Sequence, residues 1–216
     1  MYEDKYGFLG IAEKAADAVI LSVLWLLCCL PVITIVPAGA ALYYTVMKYL
    51  RRGRGKLLHV FWNSFLENLK PGMLLSVAVC VYGIVTLNWL GFAGQFSVAS
   101  AQGLLYAVVS RVLLVFGIFS QVYLCPVLSR FGGSAKAVLM GAVYMSWRHF
   151  FTSLCAAVLL AAMLYAVYVL PVSIAAAPAL YMYFLSLLVE RNLKKYMECT
   201  DGYDSLGKDG DQWYLE

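Results

Sequence analysis

Six cysteines, two histidines and one isolated arginine are the residues of this 216-residue chain whose types could do chemistry. Thiols and imidazoles hold a metal or act as nucleophiles when they gather at ligand spacing or beside a base. Cys28, Cys29, Cys80, Cys125, Cys155 and Cys199 show no such spacing, and five of them lie inside apolar stretches, where a free thiol packs as a small hydrophobe. His59 and His149 each sit next to basic residues rather than carboxylates or thiols. No Gly-x-Ser-x-Gly or His-Glu-x-x-His is present, and no pair of carboxylates stands within an apolar block to serve as acid and base. The pattern predicts no catalytic residue, no metal and no cofactor. Arg111 differs because it interrupts apolar sequence, where a charge is costly and marks a functional candidate. Its alternative is an anchor at the outer interface, the guanidinium reaching headgroups while Val112 to Ser129 cross below it.

The elements that must carry these residues follow from charge spacing. Pro71 to Ser110 and His149 to Val189 each contain no Asp, Glu, Lys or Arg, and hydrophobic residues make up 63% of the chain against 13% charged. Apolar runs above about 18 residues are long enough to cross hydrocarbon as a helix. Backbone groups in lipid must be paired internally, so the choice lies between helices and a closed barrel, and these blocks lack the alternation of barrel strands. The expected fold is all-α: a polytopic transmembrane helical bundle, one domain over residues 1–196, followed by a mobile cytoplasmic tail, 197–216, rich in Asp and Gly.

Five spans are expected, near 18–36, 73–93, 104–129, 150–170 and 172–189. The connection 48–70 carries Lys48, Arg51, Arg52, Arg54, Lys56 and Lys70 against Glu67 alone, and 130–148 carries Arg130, Lys136 and Arg148 with no acid. Basic connections stay cytoplasmic, which places the C-terminus, with Arg191, Lys194 and Lys195, on the inside. The net charge of +4 thus reflects membrane topology and not nucleic-acid binding. The start of the chain carries acids and no basic leader, so no cleavable signal is expected.

Residues 18–50 exceed one straight span and contain Pro31 and Pro37, which predict a break between Leu30 and Pro37. One kinked span places the N-terminus outside; a re-entrant or six-span arrangement places it inside. Leu57 to Leu69 repeats Leu58, Phe61, Trp62, Phe65, Leu66 and Leu69 at helical spacing, and Lys136 to His149 is a weaker copy, predicting two cytoplasmic interfacial helices. Each precedes an outward hairpin. That order reads either as a duplication or as two hairpins with similar needs.

The stretch Leu24-Trp25 through Leu30-Pro31, Thr34, Pro37-Ala38 and Ala41-Leu42, followed by Phe61, Phe65, Asn68 and Lys70, resembles the signature of the bacterial YesL-like family, a domain of unknown function. It departs at Val60, where the family pattern has an acidic residue. The resemblance implies a multi-pass bacterial plasma-membrane protein accompanying carbohydrate uptake, with no established activity. Thr34 can satisfy a carbonyl freed by the prolines, and Ala38 to Ala41 allow a neighbouring helix to approach closely. The break is either architectural or the lining of an ion or ligand site.

Two functions are compatible with these residues. One is a non-enzymatic accessory protein of the bilayer whose partner is a carbohydrate transporter or a second copy of itself. The other is a small solute transporter or channel acting as an oligomer, with Thr86, Asn88, Arg111 and Gln121 converging on a path.

Overall fold

The computed structural model describes residues 8–95, 100–131 and 133–200, with side chains described from Glu13 to Leu193 within those limits. Its elements are helical throughout: α1 (Phe8–Cys28), α2 (Ile35–Thr45), α3 (Leu57–Glu67), α4 (Leu69–Ala93), α5 (Ala101–Phe131), α6 (Ala135–Arg148), α7 (Phe150–Val169) and α8 (Ala177–Thr200). Three of them, α4, α5 and α7, are long and apolar enough to cross a membrane, so the chain is an all-α protein of the polytopic membrane class. Helix α8 continues to Thr200, and the rest of the expected tail, 201–216, lies outside the described residues.

Proline decides where the chain turns. The residue before a proline avoids the helical region, and α1 stops at Cys28, just short of Leu30-Pro31. Pro31 itself is extended, at φ −76° and ψ 115°, and a short 3₁₀ turn, Val32–Thr34, leads into α2. Pro37 and Pro71 fall in the first turns of α2 and α4, where an absent N–H leaves no bond unmade. Pro126 alone lies inside a helix, in the inner part of α5.

The expected single kinked span over 18–50 is not what the chain forms. The Tyr49 hydroxyl donates to Asp17 Oδ2 at 2.9 Å, so the start of α1 and the π-helical turn after α2, Val46–Arg51, meet at one end. A span that merely bent would separate these groups by the length of both halves. Residues 29–34 instead reverse the chain, and α1 and α2 form an antiparallel hairpin. At the foot of α2, the Val36 N–H donates to Ser76 Oγ at 3.0 Å, and Gly72 touches the Pro37 ring. The turn therefore sits beside the second and third turns of α4, far from the other end of that helix.

Helices α4 and α5 run antiparallel, tied by the Tyr82 hydroxyl donating to Leu113 O at 2.5 Å and by Tyr106 packing on Trp89 and Phe92. Between them and α8 lies α2, buried along most of its length: Ala38, Ala40, Ala41, Leu42 and Tyr43, with Val46 and Met47 of the turn that follows, are all at 0% exposure. Lipid supplies no hydrophobic drive between helices, so contact depends on close van der Waals fit, which small residues permit. Gly39 faces Cys125 on α5 so closely that an added Cβ would stand 2.7 Å from the sulfur. The small-residue stripe at Ala38 to Ala41 is thus covered by this chain's own helices and offers no surface to a partner.

Candidate functional site

Along α8 a row of polar side chains faces inward, and its centre is a buried carboxylate. Glu190 follows directly on the charge-free block that ends at Val189. Its Oε1 accepts from Arg130 Nη2 at 2.8 Å, with the two side chains 3% and 8% exposed. Its Oε2 accepts from the Tyr43 hydroxyl at 3.0 Å. One turn earlier, Arg51 Nη1 reaches Ser186 Oγ at 3.3 Å, and Arg52 also lies within the field of Glu190 and Arg130. Burial is the largest influence on Arg52 and pulls its guanidinium below the ordinary value, while Glu190 acts in the opposite sense. Farther along, Asn192 Nδ2 donates to the Tyr123 hydroxyl and to Thr152 Oγ1.

Helix geometry assembles this cluster from three segments distant in sequence. Tyr43 is on α2, Arg51 and Arg52 follow at its end, Arg130 is in the last turn of α5, and Ser186 and Glu190 share one face of α8 at i, i+4, while Asn192 turns to another face toward Tyr123 and Thr152. A carboxylate taken out of water is tolerable when both oxygens are met and a cation is adjacent. Here both conditions hold. With each oxygen engaged by a donor, Glu190 is a structural counter-charge and not a poised general base. Tyr43 adjoins the Leu42 of the recognised motif, and Arg130 entered the sequence reading only as a topological charge. The signal available for Glu190 was its place as the first charge after a long apolar block.

The residues singled out from sequence divide by location. Thr34 is buried at the hairpin turn, its hydroxyl 2.6 Å from the carbonyls of both Cys28 and Pro31. Pro31 is exposed, Trp25 is half-buried, and Pro37, Ala38, Ala41 and Leu42 are buried. On α3, Phe61 and Phe65 turn inward against α2, while Leu58, Trp62 and Leu66 form an exposed apolar stripe beside the exposed polar stripe of His59, Asn63 and Glu67. Asn68 is buried at the elbow between α3 and α4 and donates to Ser64 O at 2.8 Å; Lys70 is exposed. Arg111 is exposed and donates to Ala107 O of its own helix at 2.9 Å.

The four polar residues expected to converge do not share a site. Thr86 and Asn88 donate to Tyr82 O and Ile84 O, one turn back on α4, as Arg111 does on α5, and Gln121 is exposed. Among the described residues, no three His, Cys, Asp or Glu side chains stand close enough to hold a metal ion.

No curated protein and no solved structure matches this chain. Residues 18–90 match the family model described as "Protein of unknown function, DUF624", the YesL-like family. That match covers the hairpin, α3 and most of α4, and leaves Arg130 and Glu190 outside it. This is a membrane protein whose first third, from α1 to α4, is similar to the DUF624 family.

Proposed function

We propose that this protein is a non-enzymatic accessory protein of the bacterial plasma membrane, C-terminus in the cytoplasm, that assists a carbohydrate uptake system. The observation that carries the reading is Glu190. As the buried carboxylate of the described residues, it is the natural candidate for chemistry, and its two oxygens are already engaged by Arg130 and Tyr43. The carbohydrate assignment rests on the family resemblance alone.

The basic connections that surround the cluster support this sidedness. Arg51, Arg52, Lys70, Arg130 and Arg148 flank the ends at which α2, α4, α5 and α6 begin or finish, and such residues remain on the cytoplasmic side. There α3 and α6 present Leu58, Trp62 and Leu66, and Met140, Tyr144 and Trp147, to their surroundings. These faces suit an interfacial position, and they replace the buried alanine stripe as the surface open to a partner.

The test is co-purification of the tagged full chain in a mild detergent. Recovery with subunits of a carbohydrate transporter supports the reading, and recovery only as a lone protomer counts against it. The alternative of a solute channel has less to stand on, because Thr86, Asn88 and Arg111 each bond back to their own helix. Solute flux through vesicles containing the purified chain alone would favour that alternative.

A further inference from the structure

We infer that the α1–α2 hairpin is re-entrant: it enters the bilayer from the side of the basic loops, turns at Leu30 to Thr34 inside the hydrocarbon and short of the far side, and returns to the side it entered from. The inference goes beyond the accessory role and does not depend on which partner the protein has.

The depth comes from contacts with α4. The first residues of α2 meet Gly72 and Ser76, in the second and third turns of a helix that runs to Ala93. From Ser76 to Ala93, α4 continues for about 25 Å at ~1.5 Å per residue, so the hairpin tip stops far short of the other end. The other leg gives a separate limit on how far the hairpin reaches. Asp17, paired with Tyr49 at the basic end, precedes the last residue of α1, Cys28, by about 16 Å of helix, roughly half of a ~30 Å hydrocarbon layer.

The surface of the turn suits that depth. Leu30 is 77% exposed, Val32 56% and Ile33 51%, and from Ala18 to Met47 there is no charged residue. A turn in water would leave these side chains solvated, and a turn at the headgroups would carry polar or amphipathic residues. The backbone is equally prepared. Non-helical backbone at membrane depth persists only where its polar groups are met within the protein. Cys29 N–H donates to Trp25 O, Leu30 N–H to Leu27 O, Thr34 N–H to Pro31 O and Ile35 N–H to Val32 O. The Thr34 hydroxyl covers the carbonyls that the break frees, and Ser76 reaches across from α4 to cap Val36.

The consequence is a topology different from five spans. The long apolar helices α4, α5 and α7 cross, α8 brings the chain back to the basic side, and the hairpin does not cross, so α1 starts on the cytoplasmic side.

Two measurements on the full-length chain test this. The first fuses either green fluorescent protein or alkaline phosphatase to the N-terminus; fluorescence without phosphatase activity is expected, and active phosphatase would overturn the inference in favour of one kinked span. The second keeps Trp25 as the single tryptophan, the others replaced by Phe, in vesicles of lipids brominated either near the headgroup or near the chain end. Stronger quenching by the chain-end bromines is expected. Stronger quenching by the shallow bromines would overturn the inference, because a hairpin that crossed fully would carry Trp25 toward the far headgroups. Should that variant fail to fold, Val32→Trp in a background with Trp25 also replaced reads the depth of the tip itself, and the same shallow result would overturn the inference.

Discussion

The Tyr43 hydroxyl and the Glu190 carboxylate, 147 residues apart in sequence, meet at 3.0 Å in the interior. Their bond joins the returning leg of the hairpin to α8, and Arg130 joins both to α5. Three helices from separate parts of the chain are thereby held at one level. Because the pair is desolvated, removing one member exposes the full cost of the other.

Glu190→Ala leaves Arg130 buried without its counter-ion. A loss of about 3–5 kcal/mol is expected, as for other broken buried pairs. Replacing both together, Glu190→Leu with Arg130→Met, removes the uncompensated charge and should recover most of that loss. Thermal unfolding in detergent of the two single variants and the double variant measures the difference. A double variant as unstable as Glu190→Ala would mean that the pair is not what holds these helices.

Tyr43→Phe removes only a hydroxyl and leaves Glu190 paired with Arg130. A bond to a charged acceptor contributes about 1.5–3 kcal/mol, so the variant should be destabilised, but less than Arg130→Ala. The same unfolding series ranks them. The reverse order would place the main tie of α2 elsewhere.

The all-helical membrane class was legible because it depends on long charge-free blocks, which any reading along the chain detects. The position of the break was legible for a local reason too, since Leu30-Pro31 cannot continue a helix. What the chain does after the break was not. A kink and a reversal need the same prolines, and the choice is made by partners far away: Asp17 with Tyr49, and Val36 with Ser76. Local periodicity on α3 found its apolar residues but could not separate Phe61 and Phe65, which face α2, from Leu58, Trp62 and Leu66, which face outward. Glu190 was hidden similarly. A lone acid next to Arg191 at a block end has the pattern of an interfacial charge until Tyr43 and Arg130 are brought against it.

Arg111→Leu is expected to change little. Its guanidinium is exposed and bonded to Ala107 O on the same helix, and side chains on a helix lean toward its N-terminus, here the end where α4 and α5 join. The geometry is that of a side chain reaching along its own helix toward headgroups. Stability in detergent should shift by less than about 1 kcal/mol, in the range of ordinary surface substitutions. A large loss of stability would instead give Arg111 a buried partner.

The close approach of α2 to its neighbours is tested by two glycines that differ in how far a partner substitution should rescue them. At Gly39 an added Cβ would lie 2.7 Å from Cys125 Sγ, the end of a small side chain. Gly39→Ala should therefore destabilise by about 1–3 kcal/mol, the cost of overpacking, and Cys125→Ala in the same chain should relieve much of it by removing the sulfur. At Gly72 the added atom would meet Pro37 at 2.7 Å from Cβ, 2.9 Å from Cδ and 3.1 Å from Cα. A proline ring fused to its backbone cannot rotate away, so Gly72→Ala must push α4 from the foot of the hairpin. Pro37→Ala is expected to relieve that variant only in part, because alanine loses the Cδ but keeps the Cβ and Cα that the added atom meets at 2.7 and 3.1 Å. Unfolding in detergent of the four single and two double variants separates the cases, and full rescue of Gly72→Ala by Pro37→Ala would show that the ring alone, and not the approach of the two backbones, sets this contact.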